Sequence, residues 1–398
     1  MISVVIHYQE LALKGRNRPW FINTLVRTIR LALADLDVRS VRPLVGRIIV
    51  DLGPGAEWLE VRSRLERLPG IGNFARATRV DPDLDAIAAC VLSGIEGRPA
   101  RTFRVAARRA DKRFPIPSPD IERDIGRRVQ DLTGWPVDLS HPEFKIHVEV
   151  LTNDAYVFFD KVRGANGLPV GTSGRVMCLL SGGIDSPVAS WRMIRRGCQA
   201  HFVHFHSYPI VSKTSQEKAR ELVEVLTRHQ LRSRLYLVAF GAIQQQVVLS
   251  VPASLRVIVY RRLMIRIAER LARESRIEVL VTGDVVGQVA SQTIENLTAI
   301  EAAATMPILR PLVGFDKEEI TLEAQRLGTY GVSIIPDEDC CTLFTPRFPA
   351  TRTTREEAEI AESGLDVAAL VDRAVAGTVM EHFRFPMVRS TAAAGDHT

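Results

Sequence analysis

The sequence predicts an α/β protein, with a doubly wound parallel sheet in its C-terminal half and two small α+β units before it. Three observations carry this expectation. From residue 175 onward, short apolar runs ("RVMCLL", "AHFVHFH", "RLYLVAF", "EVLVTG", "PILRPL") alternate with helical patterns, the rhythm of parallel strands joined by helical crossovers. Ahead of residue 163 the order is less regular: "SVVIHY", a helix over "RPWFINTLVRTIRLALADL", "RIIVDL", a helix near "AEWLEVRSRLERL", then "TFRVAARRA", "DIERDIGRRVQDLTG", "KIHVEVL" and "AYVFFDKV". Two α+β units in succession suit that order. Between the halves, "RGANGLPVGTSG" at residues 163–174 holds four glycines and a proline and reads as a linker. A chain of 398 residues also exceeds what one core usually serves. The expected domains are 1–57, 58–165 and 174–398.

Composition excludes several classes. With 46% hydrophobic and 25% charged residues, and no apolar run near the roughly 18 residues of a membrane helix, no membrane association is expected. The N-terminus "MISVVIHYQELALKG" lacks the basic region and cleavage site of a signal peptide. Five cysteines (Cys90, Cys178, Cys198, Cys340 and Cys341) are too few and too irregular for a disulfide framework, so a reducing cytoplasm is expected.

The net charge is +6, and it is unevenly spread. Between Arg98 and Arg128 ten Lys or Arg stand against four acids, a local excess of +6 that equals that of the whole chain. Arg104, Arg108, Arg109, Lys112, Arg113, Arg127 and Arg128 are the candidates there for phosphate-backbone contact. A solvated basic face is the alternative on charge alone.

The first chemical signal is "CLLSGGIDSPVASW", residues 178–191. Two glycines and two hydroxyls follow an apolar strand, and a helix begins around Pro187. Gly182 and Gly183 permit close backbone approach and positive φ, while Ser181 and Ser186 supply hydroxyls. Gly197, after Arg195 and Arg196, fits the helix stop. A helix N-terminus aimed at a strand end is an anion site, most simply for phosphate. No lysine follows the glycines, so this is not a Walker A loop, nor is it GxGxxG. Asp185 can cap the helix or hold magnesium, and the two roles are compatible.

A second signal is "DKEE". Asp316 as N-cap with Glu319 three residues later makes a capping box, which places Lys317 in the first turn, where the helix dipole disfavours a cation. An anionic ligand explains the lysine better than helix stability does.

"SGGIDSPVA" resembles the pyrophosphate loop of ATP pyrophosphatases. With it, "ELALKGRNRPWF", "FRVAARRADKRFPIPSPDIERDIGRRV", "TGDVVGQVASQTIENL", "RPLVGFDKEEI" and "DEDCCTLFTP" resemble, in order, the motifs of the tRNA 4-thiouridine synthetase (tRNA uracil sulfurtransferase) family. The resemblance implies that the three expected domains are ferredoxin-like, THUMP (an RNA-binding module) and PP-loop ATP pyrophosphatase. It implies nucleotide contacts at Leu179, Leu180, Ser181, Gly182, Gly183, Asp185, Ser186, His204, Phe205, Gly283 and Gln292, and at an arginine aligned with Arg261 or its neighbour Arg262. It assigns Lys317 to phosphate or transition-state charge. By spacing from Lys317, the family's catalytic cysteine best matches Cys340, with Cys341 as a resolving partner. Val285 stands where many members have a possible hydroxyl contact.

The implied reaction adenylates the C4 oxygen of a tRNA uridine, at position eight, with ATP and Mg²⁺, and replaces that oxygen with sulfur. Sulfur arrives as a persulfide from a cysteine desulfurase or a carrier, and relatives suggest a homodimer. The chain ends at 398 without the rhodanese domain that some members carry, and this sets the thiamine-thiazole role apart. Two other readings stand beside this one: a PP-loop enzyme with a different acceptor, and a non-catalytic RNA-binding protein with a relic nucleotide fold.

Overall fold

The computed structural model describes residues 1–110, 114–336 and 349–387. It divides into two compact units, Met1–Leu168 and Pro169–Thr398, which meet inside the glycine-rich stretch.

The first unit is built on eight strands: β1 (Ile2–His7), β2 (Val38–Leu44), β3 (Arg47–Leu52), β4 (Asn73–Val80), β5 (Phe103–Arg109), β6 (Phe144–Val150), β7 (Ala155–Phe158) and β8 (Val162–Arg163). They form one sheet in the order β2-β3-β1-β4-β7-β6-β5, with β8 on β4. Helices α1 (Arg18–Ala32), α2 (Trp58–Arg67), α3 (Leu84–Ile95) and α4 (Ser118–Thr133) connect them. The sheet runs through the expected 57/58 boundary. Helix α2 leads into β4, which pairs antiparallel with β1, so the first βαββαβ motif closes at Val80. β4 also pairs with β7, making the sheet continuous across both expected domains. The segments "VRSVRPL" and "NFARATRV" are the strands that the pattern reading passes over. Their arginines break the apolar run, and partner strands supply the burial: Val41 is 6% exposed and Phe74 fully buried.

The second unit carries β9 (Arg175–Leu179), β10 (Gln199–His206), β11 (Arg232–Ala239), β12 (Leu280–Val281), β13 (Ile308–Leu309) and β14 (Val379–Arg384), ordered β13-β12-β9-β10-β11-β14. Its helices are α5 (Asp185–Arg195), α6 (Thr214–Gln230), α7 (Gly241–Ser250), α8 (Arg256–Glu274), α9 (Ile294–Glu301), α10 (Lys317–Leu327), α11 (Tyr330–Ser333), α12 (Arg355–Glu362) and α13 (Val367–Ala376). Five strands are parallel, as expected. The sixth, β14, is antiparallel to β11, and its exposed, half-polar "VMEHFR" gives no apolar run to read. Met177, Val203 and Val238 pack against Val259, Leu263 and Ile267 of α8. Because β9 lies between β10 and β12, the chain reverses its winding at β9, and the carboxyl end of that strand is where such sheets bind ligands. No helix among the described residues is long and apolar enough to cross a membrane.

Candidate active site

The turn after β9 is held from inside by two hydroxyls. Ser186 Oγ accepts from the Ser181 amide at 2.9 Å and lies 3.1 Å from Ser181 Oγ. The Gly183 amide donates to Ser181 Oγ at 3.3 Å. Neither Gly182 nor Gly183 has positive φ, so the expected left-handed turn is not what these glycines supply. Close approach is visible instead at Gly283, where a Cβ would stand 2.8 Å from the Ser186 amide nitrogen. Only glycine lets the end of β12 lie against the start of α5.

Helix α5 begins at Asp185, and Ile184 occupies the N-cap position without a side-chain bond. Asp185 therefore does not cap the helix. Its carboxylate accepts from Lys317 Nζ at 3.0 Å and from Gln288 Nε2 at 2.9 Å. The capping box of Asp316 and Glu319 is present and starts α10 with Lys317 facing the turn. Arg192 of α5 bonds Glu323 of α10 through Nε at 3.0 Å and ties the two helices together. A lysine in a first turn, opposed by its own helix dipole, is thus paired with a carboxylate 132 residues away. Its side chain is 51% exposed, open to a phosphate.

Beside the turn, Asp284 is the hub of a buried network. Its carboxylate takes Thr282 Oγ1 at 2.7 Å, Gln292 Nε2 at 3.3 Å and Arg310 Nε at 3.5 Å, and it pairs with Arg261. Burial alone would raise its pKa, but Arg261, Thr282 and Arg310 outweigh burial and hold it below the usual carboxylate value. The neighbouring arginines face different ways. Arg261 reaches Asp284 and the Ser291 carbonyl, whereas Arg262 is 1% exposed and bonds Glu362. Arg261, the aligned choice, is the one turned toward the nucleotide-loop motifs. Buried Oε1 of Gln292 has no hydrogen-bond partner among the described residues.

His204 is 2% exposed, and its Nδ1 lies 2.9 Å from the Leu180 carbonyl, fixing the proton on Nδ1. Phe205 is buried and packs edge-on against Phe240. Their side chains belong to the core, which leaves backbone contact as the nucleotide role open to Phe205. Leu180 is pinned by its amide to the Val203 carbonyl at 2.8 Å, and Leu179 ends β9.

Asp284, Gln288 and Arg310 were not singled out in the sequence. The first two lie inside the quoted "TGDVVGQ", where an acid and an amide in a glycine-bearing loop were the available signal. Val285 is buried, at 7% exposure. Cys178 and Cys198 are buried and Cys90 is half-buried. Burial pushes the Cys178 thiol up to about 12 and raises the other two, so all three suit packing rather than thiolate chemistry. Cys340 and Cys341 lie outside the described residues.

In the first unit the basic window divides. Arg104 and Arg108 are exposed on β5, and Arg104 Nη1 donates to the Leu139 carbonyl at 2.9 Å. Arg109 donates to the Phe114 carbonyl at 2.6 Å. On α4, Arg127 pairs with Asp124 at 2.8 Å, and Arg128 is held by Asp124 and Asp85 at 2.7 and 2.8 Å. Lys112 and Arg113 lie outside the described residues.

A glycine turn at the switch point of a parallel sheet, with a lysine–aspartate pair over it, defines a nucleotide-binding α/β domain of the PP-loop type. Comparison with known families matches residues 171–367 to the thiamine biosynthesis protein (ThiI) model, 82–160 to the THUMP domain and 3–75 to the ThiI ferredoxin-like domain. A probable tRNA sulfurtransferase of Thermus thermophilus is 47% identical over 92% of both chains, and one of Brevibacillus brevis is 42% identical over 95% of both. A solved 4-thiouridine synthetase–RNA complex with bound ATP superposes with a TM-score of 0.88 at 35% identity, covering 96% of this chain and 100% of that one. The chain belongs to the tRNA sulfurtransferase family.

Proposed function

We propose that this chain is a tRNA uracil 4-sulfurtransferase. ATP binds at the turn after β9, and the C4 oxygen of a tRNA uridine, at position eight, attacks the α-phosphorus. The bond to the β-phosphate breaks and pyrophosphate leaves. A persulfide sulfur then attacks C4, and the C4–O bond breaks to release AMP. A second thiol takes the outer sulfur's partner as a disulfide, leaving 4-thiouridine, and an external thiol reductant restores the pair. Cys340 and Cys341, outside the described residues, are the candidates for persulfide carrier and resolving thiol. The donor is a cysteine desulfurase or a persulfide carrier, the compartment the cytoplasm, and the working form a homodimer.

The observation that carries the reading is the pairing of Lys317 with Asp185 at the mouth of the turn. Nζ of Lys317 is placed to meet charge developing on the phosphates, a preorganised arrangement of the kind that lowers barriers most. Asp185 holds the lysine when no phosphate is present. Mg²⁺ takes one or two carboxylates together with substrate phosphates rather than an all-protein cage. The donor chemistry fits such an ion, with the Asp185 carboxylate at the turn as the residue that would hold it beside the phosphates. When bound, it would neutralise phosphate charge. Arg104 and Arg108, exposed on β5, are the proposed phosphate-backbone contacts, together with Arg109, Arg127 and Arg128; Lys112 and Arg113, outside the described residues, are proposed for the same role from the sequence.

Mass spectrometry of tRNA nucleosides from a strain lacking this chain tests the reading. 4-Thiouridine should vanish and return with the wild-type chain but not with Lys317→Ala. Undiminished 4-thiouridine in the deletion strain would refute the assignment.

A further inference from the structure

The amino edge of the second unit's sheet carries another concentration of charge. Arg175, Gln199 and Arg232 open β9, β10 and β11, and antiparallel β14 ends beside them at Arg384. Arg232 stands opposite Arg384, and Arg234 opposite His382. Residues two apart on a strand share a face, so these four project to one side. Ser233, between the two β11 arginines, and Glu381, next to His382 on β14, project to the other, where they meet Thr227 and Arg220 of α6. With Arg175 and His201, the four line a cavity of about 300 Å³.

Two independent features of this cavity point to a ligand. Arg175, Arg232, Arg234 and Arg384 form no ion pair among the described residues, whereas Arg220, Arg262 and Arg266 on nearby helices each hold a carboxylate. His201, which lines the same cavity, is 7% exposed, and its Nδ1 has no hydrogen-bond partner among the described residues. Burial, with repulsion from Arg234, Arg175 and His382, pushes this histidine down to about 4. Cations gathered without a counter-charge repel one another, and a bound anion would offset that repulsion.

We propose that this cavity is a second anion site, taking a phosphate group at the end of the strands opposite the nucleotide turn. Guanidinium forks match phosphate oxygens in bidentate geometry. The volume lies at the lower end of small-molecule sites, which span about 300–1,000 Å³, and it suits an oligophosphate. An RNA phosphate offers the same chemistry.

The test is calorimetric titration of inorganic pyrophosphate into the full chain. Two binding events are expected, one at the nucleotide turn and one here. Arg232→Gln with Arg384→Gln should weaken one of them about tenfold or more, since charge-assisted hydrogen bonds to the anion are lost. Lys317→Ala should leave that event in place. The His201 imidazole resonance, assigned by its loss in His201→Gln, should shift as this event saturates. Unchanged tRNA affinity in the arginine variant identifies a free oligophosphate as the ligand. A fall in tRNA affinity and in its salt dependence, with pyrophosphate heats unaltered, identifies an RNA phosphate. If neither titration differs from wild type, the proposal is overturned. Should that variant fail to fold, Arg175→Gln with Arg234→Gln probes the same cavity.

Discussion

The two ends of one parallel sheet handle charge in opposite ways. At the carboxyl ends of the strands nearly every ionic group has a named partner: Lys317 and Gln288 on Asp185, and Arg261, Arg310, Thr282 and Gln292 around Asp284. At the amino ends, four arginines and a buried histidine share a cavity with no carboxylate paired to them among the described residues. The contrast teaches that a concentration of charge is not by itself a catalytic arrangement. Preorganisation comes from partners that hold a group in place before the ligand arrives, and among the described residues the carboxyl end has them. The amino end has the charge but lacks the scaffold, and this suits binding rather than chemistry.

The largest effect expected is at the scaffolded end. Asp185→Ala and Lys317→Ala should each slow tRNA-dependent pyrophosphate release by about 10²- to 10³-fold while the proteins keep their melting transitions. Near wild-type release in both would break the comparison. Gly283→Ala tests the packing beneath the turn. The new methyl meets the Ser186 backbone at 2.8 Å, and overpacking of this kind costs about 1–3 kcal/mol. Both the melting temperature and ATP affinity should fall. Arg232→Gln, at the other end, should change stability by no more than about 0.5 kcal/mol.

Asp284 sharpens the comparison through pH. Its folded pKa is depressed below the usual carboxylate value, so its contribution to stability is complete above the unfolded value. That contribution is lost as pH falls through the folded value. Chemical denaturation should therefore show no dependence on this group between pH 5 and pH 7. Below about pH 4 the wild-type chain should lose stability faster than Asp284→Asn, by at most about 1.4 kcal/mol per pH unit. Equal acid slopes in the two proteins would remove Asp284 from the hub.

The smallest effect concerns the first unit, where paired and unpaired cations again differ. Arg104→Glu should reduce the slope of log affinity for tRNA against log salt by about 0.9 if its contact is to duplex RNA phosphate and follows the duplex rule. Arg128→Glu, already engaged by Asp85 and Asp124, should change it less. Filter binding across a salt series reads both, and equal changes would return the window to a plain basic face.

Much of this was legible in residue order, because strand–helix alternation, the SGG turn and the capping box are local signals. Asp316 and Glu319 declare a helix start wherever they fall three apart, and the family motifs name the nucleotide loop directly. Tertiary structure decided what those signals touch. Asp185 reads as a cap but accepts from a lysine and an amide more than 100 residues away. Gly182 and Gly183 read as left-handed, yet glycine is demanded by close packing at Gly283 instead. β2 and β4 escape pattern reading because their burial comes from neighbouring strands rather than from their own polar sequences, and β14 because its exposed, half-polar sequence offers no apolar run. The arginines of the amino-edge cavity, scattered from 175 to 384, form no motif, since only the sheet register brings them to one edge. Local chemistry can be read along a chain, but which charges meet, and which are left without partners, depends on long-range pairing that a linear pattern does not encode.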